Sequence, residues 1–169
     1  INLTTLFKSW ENTDGVLDVS GANGGSIRHI ASQQITTSAT YLAVGSTGVG
    51  GSIDVSAPAL KFLSTQINAS GFTGGGTIRL GGEFQGGKNL TVDEMPNAQI
   101  LAMTDATTVK ADTLGTDGDG GTIITWADQT TSVLGQFSAL PGTNSGSGGV
   151  VEVSSGNDSL TFGGTIVSG

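Results

Sequence analysis

The chain has 169 residues, with 14 acidic and six basic side chains and a formal net charge of −8. This acidity disfavours binding to nucleic acid or to an anionic membrane surface, because both need clustered Lys and Arg. The absence of cysteine excludes disulfides and thiolate metal sites. No apolar run approaches the ~20 residues that span a bilayer. We therefore expect neither a nucleic-acid partner nor insertion into a membrane.

Glycine pairs divide the sequence into repeats. The pairs end at Gly25, Gly51, Gly76, Gly121 and Gly149, so the steps between them are 26, 25, 45 and 28 residues. The long step is nearly two short ones. A fixed period of about 20 to 50 residues indicates a solenoid, in which each repeat buries its apolar face on its neighbours. We expect the glycines to turn corners with positive φ, which other residues resist.

In chain order, residues 1–14, with Phe7 and Trp10, predict an irregular or capping coil, and three strands per repeat follow. Short alternating runs stand before the glycine loop, directly after it and further along, so one face of each strand is inward. The expected inward positions after the loop begin at Ile27, Ile53, Ile78, Ile123 and Val151.

Three strands per turn of about 25 residues are typical of a parallel β-helix. We predict an all-β chain with about seven coils in one segment, residues 1–169, interrupted by an irregular excursion over about 82–108. A β-sandwich is the rival fold, but it needs hairpin turns at changing spacing.

The order of several motifs resembles the filamentous haemagglutinin-like exoproteins of two-partner secretion systems. The motifs that carry the resemblance are Ile67–Gly71, Gly74–Gly82, Phe84–Gly87, Val109–Asp112, Gly118–Asp128 and Gly148–Ser154. The resemblance implies a right-handed parallel β-helix that a Gram-negative bacterium secretes to its surface through an outer-membrane transporter. Members of the family are mostly adhesins, and some carry toxins or build biofilm matrix.

One acidic cluster deserves a test as a metal site. Asp117 and Asp119 alternate with glycine before Gly121, and carboxylates spaced in this way are candidate ligands for Ca²⁺. The cluster lacks the full series of a calcium loop, and a polar turn that bonds local backbone explains it better. We therefore expect no cofactor and keep these two residues as the calcium candidates. His29, the single histidine, is expected inside the coil as a neutral, hydrogen-bonded side chain.

Glycoside cleavage needs two facing carboxylic acids. Stacking should place Asp54 between Arg28 and Arg79, which gives a ladder of alternating charge and not an acid pair. Asp93 and Glu94 lie in the irregular segment, where they could line a groove. We expect no enzyme, and a polysaccharide-active β-helix enzyme is the least favoured alternative.

Surface candidates are few. Of the four glycosylation sequons, at Asn2, Asn68, Asn89 and Asn157, we take Asn68 and Asn89 as candidates. Phe84 is the aromatic residue that we expect to be exposed, whereas Trp126 is expected in the core or a cap.

These observations lead to one expectation and one alternative. We expect a stalk segment of a secreted, surface-attached adhesin that mediates attachment to a host or a biofilm. Its ligand would be a glycan or a host-surface receptor, held by weak, repeated contacts. The alternative is a filament or matrix spacer without a ligand, which would self-associate head to tail.

Overall fold

The computed structural model describes residues 2–5, 9–12, 14–87 and 95–169. Eighteen short strands follow one another in these residues, and they group into six coils of three strands each. The coils are β1 Asn2–Thr5, β2 Ser9–Asn12 and β3 Val16–Asp18; β4 Ser26–Ala31, β5 Gln34–Thr37 and β6 Thr40–Leu42; β7 Ser52–Ser56, β8 Ala59–Phe62 and β9 Gln66–Asn68; β10 Thr77–Leu80, β11 Ile100–Met103 and β12 Thr108–Lys110; β13 Thr122–Ala127, β14 Thr130–Val133 and β15 Gln136–Ser138; β16 Val150–Ser155, β17 Ser159–Phe162 and β18 Thr165–Val167.

Each strand pairs in parallel with its counterparts in the adjacent coils, which builds three six-stranded sheets. Sheet A contains β1, β4, β7, β10, β13 and β16; sheet B contains β2, β5, β8, β11, β14 and β17; sheet C contains β3, β6, β9, β12, β15 and β18. The predicted parallel β-helix is thereby confirmed. At ~4.8 Å between neighbouring strands, the five steps from first to last coil measure about 24 Å.

The described strands form six coils, one fewer than predicted, and the 45-residue step explains the difference. Thr77 pairs with Thr122 and Ile78 with Ile123, so β10 and β13 are direct neighbours. The step is therefore a single coil with an insertion between β10 and β11. The predicted excursion over about 82–108 is too wide, because β11 occupies a regular place in sheet B and β12 begins at Thr108.

Inward residues from all three sheets fill the centre of the coils. Ile27, Ile53, Ile78 and Ile123 stack in register and are fully buried, as their alternation predicts. Tyr41, Phe62 and Phe137 are the largest fully buried or nearly buried side chains. In the sixth coil the inward residues are only partly covered: Leu160 is 49% exposed and Phe162 42%. No described strand pairs with the outer edge of this coil.

Glycine is needed in these pairs for a reason different from the predicted positive φ. None of the five pairs has a positive φ, so that expectation is wrong. Instead, a Cβ on Gly24, Gly50, Gly75 or Gly120 would collide with the following coil, either with the carbonyl oxygen just after its sheet C strand or with the amide nitrogen of the second glycine of its pair. The second glycine of each pair donates its N–H to that same kind of carbonyl, as Gly51 does to Ala43 at 2.8 Å. Each bond closes the neck of a loop.

The insertion packs on the outer face of sheet A. Its described parts are residues 81–87 and 95–99. The Ala98 amide donates to the Gly81 carbonyl at 2.6 Å, which ties the two ends together. Ser56 donates to the Pro96 carbonyl. Because the insertion lies there, the outward-alternating Asp54 and Ile124 are only 4% and 5% exposed.

Candidate functional site

The outer face of sheet A carries a ladder of charged side chains. Arg79 forks onto Asp54, with Nε to Oδ1 at 2.7 Å and Nη2 to Oδ2 at 2.6 Å. It also pairs with Glu83 of the insertion. From the adjacent coil, Arg28 Nη1 lies 3.6 Å from Oδ2 of Asp54. The predicted ladder of Arg28, Asp54 and Arg79 is confirmed, and the insertion extends it by one carboxylate. Both carboxylates contact the same guanidinium, so this arrangement neutralises charge across the coils.

A second polar cluster fastens the insertion above Trp126. Asp128 accepts hydrogen bonds from Trp126 Nε1 at 2.8 Å and from Asn97 at 2.9 Å on Oδ1, and from Gln99 at 3.2 Å on Oδ2. Trp126 points outward from β13, yet it is only 6% exposed beneath the insertion. Phe84 in the same insertion is 49% exposed, as predicted. The acidic residues Asp93 and Glu94 lie outside the described residues.

The two calcium candidates bond to neighbouring loops. Asp117 accepts from Thr116 Oγ1 and from Ser145 Oγ, both at 2.7 Å, and these bonds lower the pKa of its carboxyl. Asp119 accepts from the Ser147 amide at 2.7 Å. Among the residues that the structure describes, no three His, Cys, Asp or Glu side chains gather into a group that could hold a metal. These carboxylates connect the loop before β13 to the loop before β16.

His29 lies inside the coil, as predicted. It is fully buried, its Nδ1 lies 3.0 Å from the hydroxyl of Tyr41, and the two rings stack with centroids 6.0 Å apart. Burial lowers the pKa of His29 to about 4 and raises that of Tyr41 to about 12. Both side chains are therefore neutral at physiological pH. They form a polar island in the apolar core.

The outer face of sheet C carries two shallow grooves that sequence reasoning missed. One, of about 340 Å³, is lined by Gln66, Asn68, Thr108 and Lys110 together with Leu42, Ile67 and Ala106. The other, of about 220 Å³, is lined by Thr108, Lys110, Gln136 and Thr165 together with Phe137, Ser138 and Val167. The grooves share Thr108 and Lys110, so they form one continuous strip along the coils. We call it the sheet C strip.

Register explains the strip. Gln66 pairs with Thr108, Thr108 with Gln136, and Gln136 with Thr165, so the first outward position of each strand forms a column. The signal in the sequence is a polar residue one place before each inward Ile67, Val109, Phe137 and Ile166. This signal can be recognised only when it is known that β9 and β12, which the insertion separates in the sequence, are neighbours.

The glycosylation candidates fall in different places. Asn68 is half-buried in the sheet C strip, and its Oδ1 accepts from the Ser70 amide at 2.9 Å. Asn89 lies outside the described residues. Phe7 and the side chain of Trp10, on which the predicted capping coil rests, also lie outside them. β1 and β2, from the same segment, pair regularly with the second coil.

The fold and these surfaces define a parallel β-solenoid with an insertion on one side and an open polar strip on another. No helix in the described part of the chain is long and apolar enough to cross a membrane. No protein-family model matches the chain, and no match was found among curated proteins.

Proposed function

We propose that this chain is a segment of a secreted bacterial surface adhesin, which holds a surface ligand along the side of a stiff rod. The observation that carries the proposal is the sheet C strip, a groove whose polar side chains are uncharged except for Lys110 and which continues over several coils. A site of this shape suits weak contacts repeated along an extended ligand. Many copies on one cell would convert such contacts into firm attachment.

The sequence supports the same proposal. The ordered motifs from Ile67 to Ser154 resemble filamentous haemagglutinin-like exoproteins, and a role in attachment to host cells or biofilm follows from that resemblance. Export through an outer-membrane two-partner transporter and a location at the surface of a Gram-negative cell belong to the proposal. An enzymatic role is disfavoured, because Asp54 of sheet A and Glu83 of the insertion both pair with Arg79 and so do not form a free acid pair.

Binding to cells tests this function. The chain, biotinylated at one terminus and displayed on fluorescent streptavidin, should label epithelial cells or biofilm, and monomeric chain should label them far more weakly. Streptavidin without the chain is the control. Labelling no stronger than this control, on cells and on biofilm alike, would reject an adhesive role.

A spacer without a ligand is the second candidate, and the three stacked parallel sheets favour it, because they build a stiff rod that needs no ligand. End-to-end rods in electron micrographs, together with no labelling of cells, would favour the spacer over the adhesin.

A further inference from the structure

Four polar side chains of the sheet C strip are free to meet a ligand, whereas Asn68 and Ser138 bond within the chain. Within the described part of the chain, the side chains of Gln66, Thr108, Lys110 and Gln136 make no hydrogen bond or ion pair with another residue. The polar groups on the outer face of sheet A differ, because Asp54, Arg79 and Asp128 are taken up by each other or by the insertion. The strip therefore presents donors and acceptors that only solvent or a ligand can satisfy.

The chemistry of the strip points to hydroxyl groups. A primary amide offers two donors and an acceptor, and a threonine hydroxyl offers both roles. Such groups alternate along the strip as Gln66, Thr108, Gln136 and Thr165. A row of sugar hydroxyls, each both donor and acceptor, complements this pattern. A partner that offered only acceptors would leave the acceptors of this pattern unpaired, and an apolar partner would leave all of it unpaired.

The distance between strands and the charge of the chain restrict the class of ligand further. Neighbouring strands lie ~4.8 Å apart, close to the length of one sugar residue in an extended chain, so successive coils can meet successive sugars. No Asp or Glu lines either groove, and Lys110 is the single cation. The net charge of −8 repels a polyanion, which one lysine does not offset. An uncharged chain avoids this repulsion, and Lys110 then acts as a donor to its oxygens.

We infer that the sheet C strip binds an uncharged, extended polysaccharide that lies parallel to the axis of the coils. Gln66 and Gln136 contact it from either side of Thr108 and Lys110. This inference rests on the proposed adhesive function and names the ligand class for it. Each contact is weak, so the affinity of a single chain for a short oligosaccharide falls near the millimolar range, at about 1 mM.

Side-chain amide signals in NMR spectra report on the strip directly. We expect the NH₂ signals of Gln66 and Gln136 to shift when the ¹⁵N-labelled chain is titrated with at least one of cellohexaose, mannohexaose and xylohexaose. Those of Gln34 and Gln129, which lie off sheet C, should stay in place. Gln66→Ala and Gln136→Ala should each weaken binding roughly fivefold, the loss expected for about one hydrogen bond.

Lys61 offers a matched control, since it is exposed on sheet B in register with Thr36 and Ala102. Lys110→Ala should weaken binding and Lys61→Ala should not. No shift at Gln66 and Gln136 with any of the three sugars would overturn the inference, as would equal shifts at Gln34. Binding of oligogalacturonate alone would overturn the uncharged class. Oligosaccharide binding without labelling of cells would instead reject the adhesive function and leave the glycan site standing.

Discussion

At the scale of single residues, the glycine pairs let the backbones of two coils approach so closely that a Cβ would not fit between them. A Cβ on Gly76 would meet the carbonyl oxygen of Gly51 and lie 2.8 Å from that of Ala69. Gly74, two residues earlier, has neighbours only at 3.7 and 3.8 Å from the same added atom. Two glycines in one loop therefore carry very different constraints.

This contrast predicts the effect of two alanine substitutions. Gly76→Ala forces the backbone of two coils apart and should cost about 3 kcal/mol of unfolding free energy. Gly74→Ala should change it by less than about 0.5 kcal/mol, because the methyl group meets its neighbours only at ordinary van der Waals distances. Urea titrations of both variants provide the measurement. Equal stability of the two variants would show that close approach does not decide where glycine is needed.

The burial of His29 makes the stability of the fold depend on pH. The unfolded chain takes up its proton near the ordinary pKa of 6.5, whereas burial holds the folded pKa at about 4. The stability that neutral His29 allows is thus present above about pH 6.5 and is lost as the pH falls from there towards 4, by about 3 kcal/mol in total. His29→Phe keeps a ring of similar size and removes this proton.

We predict that the loss of stability between pH 7 and pH 4.5 is smaller in His29→Phe than in the wild type. Denaturant unfolding at both pH values measures it, and the carboxylates contribute equally to both proteins. An NMR titration of the His29 ring provides an independent check. A ring that titrates near pH 6.5 would contradict its burial beside Tyr41.

At the scale of elements, the insertion acts as a cover that is fastened to sheet A at several points. Trp126 packs beneath Gly82 and Gly86, and a Cβ on Gly86 would lie 2.5 Å from its ring. Gln85 has a positive φ of 53°, and its amide donates to the carboxylate of Glu152 at 3.1 Å. A non-glycine residue with this backbone needs such support from its surroundings.

Removal of the indole should therefore loosen the insertion. Trp126→Ala empties a buried site at a cost of about 3 kcal/mol, and we expect the Ala98 amide to exchange its hydrogen at least about tenfold faster. Trp126→Phe, which keeps a ring but loses the bond to Asp128, should have a smaller effect. The Val109 amide in sheet C serves as the internal reference. Unchanged exchange at Ala98 in Trp126→Ala would mean that the indole does not hold the insertion.

Most strands, their inward rows and the Arg28–Asp54–Arg79 ladder could be predicted from sequence, because period-2 alternation and a repeat near 25 residues indicate both faces and neighbours. β1, β2 and β11 could not, because they lie in segments that break the repeat. The burial of Asp54 and Ile124 could not either, since their alternation points outward and the insertion lies over that face. The sheet C strip was equally out of reach. Gln66 and Thr108 are 42 residues apart, and the 45-residue step resembles two coils.

At the scale of the whole molecule, the three sheets have different surroundings although they share one backbone plan. The outer face of sheet A is covered by the insertion and neutralised by its own ion pairs. The outer face of sheet C is open, polar and continuous over the third to sixth coils. In the proposed adhesin, a ligand would lie along this side of the rod, so its affinity would grow with the number of coils and copies that engage.

Retention of coated beads under flow measures whether this rod attaches to cells or biofilm through its sheet C strip. Beads carrying the wild-type chain should stay on epithelial cells or biofilm at shear that removes albumin-coated beads. Beads carrying Gln66→Ala/Gln136→Ala should be lost several-fold faster, while Lys61→Ala beads should behave as wild type. Wild-type beads that wash off with the albumin beads, or a double variant that holds as firmly as the wild type, would contradict the account.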